Sequence, residues 1–321
     1  MNIRLFVLPL LLGAASVPGI AADEPVSSFI TLGTMGGPVP DGVRSQPANV
    51  LVRGEDAYVI DAGDGTVQQL AKAKIRLPRV KAVFLSHLHV DHTGGLAAIL
   101  GLRNQTNARD VLTVYGPVGT EQLVNGIVAS MQPAAKAGYG IPGQPWQAPE
   151  TTVRVVELGN GTDIEVDGMR VRAVQNTHYE FAPGSAEDAA FKALSLRFDL
   201  PERSITYTGD TGPSEAVEKL AAGSDVLVSE MIDLDATLAN VARNSPNMPE
   251  AVKRGMVTHL SKHHLTTREV GLLAKRAQVK SLVVTHFAGG TGSPERLKAY
   301  RDEIAANYSG SICIANDLDA F

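Results

Sequence analysis

Short apolar runs bounded by polar turns alternate along the chain with stretches whose apolar residues recur every three to four positions. That alternation predicts strands interleaved with amphipathic helices. Residues 49–60 read as a β-hairpin, with Gly54 and Glu55 at its bend. Further strands are predicted at 80–85, 111–115, 153–158, 169–174, 193–200, 204–207, 225–229 and 281–285. The 3.6-residue period predicts helices at 66–74, opened by a Thr66 cap, and at 96–102, 214–222, 266–277 and 293–307. In the last of these, Ser293 and Pro294 form an N-cap and first-turn pair. The Pro/Gly-rich stretch 133–149 reads as a surface loop near the mouth of an active site. Strands alternating with helices give an α/β class, helices covering a mostly buried sheet system. No linker or internal repeat interrupts it, so residues 23–321 are expected to form one catalytic domain.

The first residues follow a different pattern. Arg4 precedes an apolar run ending near Val17, and small residues at Gly19, Ala21 and Ala22 precede Asp23. A basic start, a short apolar stretch and small residues before a polar one are the parts of an export leader. Residues 1–22 are therefore expected to be cleaved after Ala21 or Ala22, the run being too short to span a membrane comfortably. The expected location is periplasmic or secreted, with no membrane association after cleavage and with a homodimer compatible with the sequence. The formal charge of −5 becomes −6 once Arg4 is removed, which argues against a nucleic-acid binder with a basic face. A single cysteine, Cys313, excludes an intrachain disulfide and reads as a buried, inert thiol within an apolar run.

Chemistry concentrates directly after the 80–85 strand, in the run His87-Leu88-His89-Val90-Asp91-His92. Three of the chain's eight histidines fall within these six residues. Imidazole and carboxylate ligands so closely spaced suit divalent ions, zinc above all, and the carboxylate can also orient a water. His178, Asp210 and His286 each end another apolar run, so all are placed at strand ends facing one cleft.

The motif His-x-His-x-Asp-His, with His178, Asp210 and His286 downstream, resembles the metallo-β-lactamase fold superfamily, and within it the tRNase Z and secreted zinc arylsulfatase branch. Asp61-Ala-Gly-Asp-Gly-Thr66, Tyr207-Thr-Gly-Asp-Thr-Gly-Pro213, Asp225-Val-Leu-Val-Ser-Glu230, His264-Leu-Thr266 and Leu282-Val-Val-Thr-His-Phe287 carry the same resemblance, in order, from about residue 30 to 290. It implies a four-layered αββα sandwich holding two divalent metal ions, zinc first among them. One ion would be bound by His87, His89 and His178, the other by Asp91, His92 and His286, with Asp210 bridging. Asp61 is either a carboxylate orienting a ligand histidine or plain turn chemistry.

The implied reaction is ester hydrolysis, in which two metals lower the pKa of a bridging water and the resulting hydroxide attacks. Asp91 belongs to the catalytic set together with His264, the general acid for the leaving group, and Glu230, which holds the other ring nitrogen of His264. His259 and His263 are read as solvated loop residues. The segment 231–258 departs from the tRNase Z pattern and is read as a lid or pocket wall. Export, acidity and the lack of a Gly- and Lys-rich tRNA-gripping arm point to a small-molecule ester substrate and no nucleic-acid partner. The expected activity is hydrolysis of small sulfate or phosphate (di)esters, arylsulfatase- or phosphodiesterase-like. The alternatives are a lactonase or β-lactamase acting on a cyclic acyl carbon, or a cyclic-nucleotide phosphodiesterase.

Overall fold

The computed structural model describes residues 27–40, 42–108, 110–289 and 293–321; the leader expected at 1–22 lies outside them. Among the described residues the strands form two sheets. The first runs β1 (Ser27–Gly33), β2 (Ala48–Arg53), β3 (Asp56–Ala62), β4 (Val80–Phe84), β5 (Leu112–Gly116) and β6 (Val153–Glu157). The second holds β7 (Thr162–Val166), β8 (Met169–Gln175), β9 (Leu194–Asp199), β10 (Ser204–Tyr207), β11 (Val226–Ile232), β12 (Ser281–Ala288) and β13 (Ser311–Ile314). Each sheet is antiparallel at one end, where short turns suffice, and parallel from β3 to β6 and from β10 to β13. Parallel neighbours need a crossover, and helices supply it.

Strand alternation sets the layers. Tyr58 and Ile60 of β3 face the other sheet and meet Phe84, Phe198, Tyr207 and Val228 in a core between the sheets. Val59, one residue out of phase, packs outward with Val83 against Leu70, Leu96 and Ile99 of the covering helices. The second sheet repeats the arrangement, with Val283 inward and Leu282 and Val284 outward against Val270, Leu273 and Tyr300. Helix, sheet, sheet, helix is the expected αββα order. Removing apolar surface from water on both faces of both sheets dominates its stability.

Several elements differ from the pattern-based reading. The helix Thr66–Lys72 has Gly65 as its cap residue, at φ +82°, while Thr66 Oγ1 donates to Gly63 O at 2.6 Å instead of capping. Pro133 lies inside a long helix, Thr120–Ala137. The stretch that follows packs on the far end of the helix Leu96–Gln105, through Tyr139 Oη to Gln105 O at 2.7 Å and Asn104 Nδ2 to Gln147 O at 3.1 Å. It therefore lies away from the histidine loop, which precedes the start of that helix. Cys313 is half-buried rather than enclosed.

The segment 231–258 continues β11 and then forms two helices, Leu234–Asn244 and Glu250–Lys262, neither of which buries a residue. Asp233 anchors this hairpin. Its carboxylate accepts from Ala236 N at 3.1 Å, Tyr300 Oη at 2.6 Å and the Arg296 guanidinium. Burial alone would raise this carboxyl, but the hydrogen bonds from Tyr300 and Arg296 hold it below its ordinary value. A carboxyl lowered in the folded state stabilises above its unfolded value, near 3.9, and that stability is lost as pH falls through the lowered one. Asp233→Asn is expected to cost about 1–3 kcal/mol at pH 7. Denaturant melts should show the difference from the parent shrinking below about pH 4; a difference independent of pH would contradict the assignment.

Candidate metal centre

β8 is antiparallel to β9, and β9 to β10, so β8, β10, β11 and β12 all run the same way and end at one edge. His178 follows β8, Asp210 follows β10, Glu230 lies in β11 and His286 in β12. The His87–His92 loop follows β4 of the facing sheet and meets that edge. His87 Nε2 lies 3.0 Å from His89 Nδ1, which is 3.2 Å from His178 Nε2. His92 Nε2 and His286 Nε2 lie 3.3 and 3.1 Å from Asp210 Oδ1, and Asp91 Oδ2 is 3.6 Å from His92 Nε2. The other Asp210 oxygen, Oδ2, stands 4.0 Å from His178 Nε2. Two donor triads, His87/His89/His178 and Asp91/His92/His286, thus flank Asp210.

The donor set fits divalent ions. His92 Nε2, Asp210 Oδ1 and both His286 ring nitrogens are buried without a hydrogen-bond partner, whereas buried polar atoms nearly always have one. Burial pushes His87 and His178 well below their ordinary values, so both rings are neutral and keep the lone pair that ligation requires.

Backbone strain aims two of these groups. The β2–β3 register slips at Asp61 and the β11–β12 register slips at Thr285–His286, so each pair carries a β-bulge there. Asp61 has φ +56° and His286 φ +47°, left-handed values uncommon for residues other than glycine. A bulge turns a side chain out of the pleat, and at site edges it re-aims that side chain. The buried Asp61 carboxylate accepts from Ser86 N at 2.7 Å, Ser86 Oγ at 2.8 Å and Tyr207 Oη at 2.8 Å, and holds His92 Nδ1 at 2.8 Å. Such a carboxylate fixes the ring orientation of its histidine. Gly209, at φ +56°, has no room for a side chain: a Cβ would meet Ser86 Cβ at 2.8 Å and Leu194 O at 2.9 Å.

His264 Nδ1 lies 2.8 Å from Glu230 Oε2, and Glu230 Oε1 accepts from Thr211 N at 2.6 Å. Burial works to lower His264, but the Glu230 carboxylate outweighs it and lifts the ring to about 9. The ring is thereby kept as a proton donor beside the donor triads.

His259 and His263 are not solvated loop residues. His259 sits in the last turn of Glu250–Lys262, with its ring centroid 5.0 Å from that of His178 and 5.4 Å from that of His264. His263 is buried, its ring between Thr177 O and Glu180 Oε2, and its carbonyl faces His178 Nδ1 at 3.3 Å. Their i, i+4 spacing on one helix face was the available signal. Nothing in the sequence reading singled out Ser86, Tyr179 or the contact of Tyr207 with Asp61.

The family described as the beta-lactamase superfamily domain matches residues 57–287. Ribonuclease Z of Mycobacterium bovis (strain BCG / Pasteur 1173P2) is 29% identical over 292 residues, which cover 90% of this chain and 96% of the relative. Ribonuclease Z of Mycobacterium tuberculosis (strain ATCC 25618 / H37Rv) is 27% identical over 289 residues, covering 90% and 96%. Among solved structures, the metallo-beta-lactamase fold protein YhfI from Bacillus subtilis superposes with a TM-score of 0.67 at 16% identity, covering 93% of this chain and 99% of its own. Human tRNase Z, short form, superposes at 0.61 and 19% identity, covering 92% and 98%.

These relatives overturn two expectations, the small sulfate or phosphate ester as substrate and the exclusion of nucleic acid as partner. The exclusion rested on the expected export, on net charge and on a missing arm. Net charge is a sum over the whole surface and does not fix the potential at one edge. A centre that cleaves a phosphodiester makes the same contacts with the phosphoryl group whatever alcohol it carries.

Proposed function

The chain belongs to the beta-lactamase superfamily domain family as a metal-dependent hydrolase of ester bonds, and on that premise we propose that it is a ribonuclease whose substrate class is transfer RNA. The observation that carries the proposal is the buried His264–Glu230 pair at the edge of the seven-donor centre, in a chain that aligns along nine-tenths of its length with proteins named Ribonuclease Z. The exposed hairpin adds support. Residues 234–262 carry four basic side chains, Arg243, Lys253, Arg254 and Lys262, against two acidic ones, Asp235 and Glu250, an excess opposite to that of the whole chain and suited to phosphates.

We assign His87, His89 and His178 to one ion, Asp91, His92 and His286 to a second, and Asp210 to both; five imidazoles, two carboxylates and no thiolate favour zinc. Bound there, such ions would supply Lewis acidity at the phosphoryl group and bring the pKa of water toward about 7. Asp91 orients the attacking water and accepts its proton. As the P–O bond to the departing nucleoside breaks, the electron pair stays on that oxygen and the proton of His264 neutralises it. Glu230 stabilises the imidazolium beforehand and keeps its second nitrogen engaged. Asp61 and Tyr207 hold His92 in register throughout.

The leader read at residues 1–22 remains part of the proposal, and the N-terminus of the mature protein decides on which side of the membrane RNA is met. The test uses the purified, zinc-loaded chain with a labelled precursor tRNA and with bis(4-nitrophenyl) phosphate. Discrete cleavage of the RNA, abolished by a chelator and restored by zinc, is expected. Hydrolysis of the small diester with the RNA left intact would overturn the ribonuclease reading.

A further inference from the structure

The segment joining β8 to β9 leads a row of aromatic rings from the donors out to solvent. The ring of Tyr179 lies 5.1 Å from that of His178 and 5.4 Å from that of His89. Phe181 follows 5.8 Å from Tyr179, and Phe191 lies 5.7 Å from Phe181. These separations fall within the range of interacting rings. Phe181 is 38% exposed and Phe191 55% exposed, and neither joins any of the three cores. Scattered exposed apolar residues are ordinary. A continuous ring path that begins at the candidate ligands is a different arrangement.

The segment is braced. Ser185 caps the helix Ala186–Ala190 by accepting from Asp188 N at 3.0 Å, and the Asp188 carboxylate accepts from Gly184 N at 3.0 Å, Gln175 Nε2 at 3.1 Å and Lys192 Nζ at 2.7 Å. Glu180, between the two inner rings in sequence, is engaged by His263 at 3.1 Å and Lys262 at 3.7 Å. Glu180, Asp188 and Lys192 are therefore paired locally, Glu187 stands exposed on the helix Ala186–Ala190, and the rings of Phe181 and Phe191 face solvent.

We propose that Tyr179, Phe181 and Phe191 form a stacking platform for unpaired nucleobases next to the scissile phosphodiester. The substrate is then RNA whose nucleotides at the cut are single-stranded. This rests on the ribonuclease reading and adds the residues that seat the unpaired bases. The choice of occupant follows from continuity: the innermost ring, Tyr179, stands against His89 and His178, where the base next to a phosphate held at the donors would meet the row. Every base offers a π-face, so such a platform tolerates sequence while selecting against paired strands, and stacking on an aromatic side chain is worth about 1–3 kcal/mol per base.

The test compares an RNA carrying unpaired nucleotides at the cut with the same RNA made abasic there, using the full-length zinc-loaded chain, its Phe181→Ala and Phe191→Ala variants, and Phe191→Leu as a milder change. In the parent, removing the bases should raise KM by about 5- to 100-fold. Each alanine variant should raise KM for the intact RNA by a similar factor, with a smaller change in kcat, and should lose most of the distinction between intact and abasic RNA. Phe191→Leu should fall between. Equal KM for intact and abasic RNA in the parent would overturn the platform while leaving RNA cleavage in place. So would alanine variants that keep the full distinction. A parent that cuts neither RNA yet hydrolyses bis(4-nitrophenyl) phosphate would remove the ribonuclease reading itself.

Discussion

Asp210→Ala is expected to abolish turnover, by about 10⁴-fold or more, and to lose both ions together. One oxygen of this carboxylate lies 3.1 and 3.3 Å from the ring nitrogens of His286 and His92, the other 4.0 Å from that of His178. No other residue of the set faces both triads so directly. The change also removes the negative charge that offsets two ions in a buried site, and charge buried without compensation is costly. His92→Ala should be milder in metal content, emptying its own triad while His87, His89 and His178 remain. Elemental analysis of the two purified variants beside the parent distinguishes them. An Asp210→Ala protein that retains two ions per chain would show that the triads are independent and the bridging assignment wrong.

His264→Ala is expected to keep its metal and lose about 10²- to 10⁴-fold in turnover on RNA, the range of a general acid. The loss should shrink as the leaving group improves, because a nitrophenolate departs without a proton and a ribose alkoxide does not. Glu230→Gln should follow the same trend more weakly, since the amide still engages Nδ1 but no longer favours the imidazolium. A series of aryl phosphodiesters of graded leaving-group acidity measures this directly. Losses equal across the series, with metal still bound, would leave His264 a binding residue only.

The parts of this protein legible in its sequence are those whose signal is local. Strands buried on both faces write continuous apolar runs, so β4, β8 to β10 and β12 lie within a few residues of where the pattern predicts them. The run from His87 to His92 and the strand-end positions of His178, Asp210 and His286 brought all seven donors together before any geometry. Asp61 left two readings open, and the structure shows they are one, since the left-handed turn at Asp61 is what aims its carboxylate at His92. The elements missed were those whose order is conferred by neighbours. The helices Leu234–Asn244 and Glu250–Lys262 bury no residue, so their apolar positions mark no face against a core, and His259 and His263 were misplaced with them. Thr120–Ala137 was obscured by the proline inside it. The substrate was misread because an expected leader and a missing arm say nothing of the metal-site edge, and total charge describes the surface as a sum, whereas recognition depends on that edge.

The sheets have a consequence for how the molecule comes into being. Every strand in each sheet is hydrogen-bonded to the next one along the chain, β1 through β6 and then β7 through β13, but the parallel pairs from β3 to β6 and from β10 to β13 must each wait for the crossover that joins them. Such parallel pairs form slowly, whereas antiparallel pairs joined by tight turns, such as β2 with β3 and β7 with β8, close at small loop-closure cost. The centre does not share that economy. Four of its donors belong to the half that leaves the ribosome first and three to the half that follows, so a nascent chain carries an incomplete set until His286 has emerged and the two halves have docked. The segment that follows β13 then reaches back to β1: Phe29 and Phe321 exchange backbone hydrogen bonds, Asp319 O accepts from Thr31 N, and Leu318 N donates to Thr31 O. Hydrolytic capacity therefore arrives late, all at once.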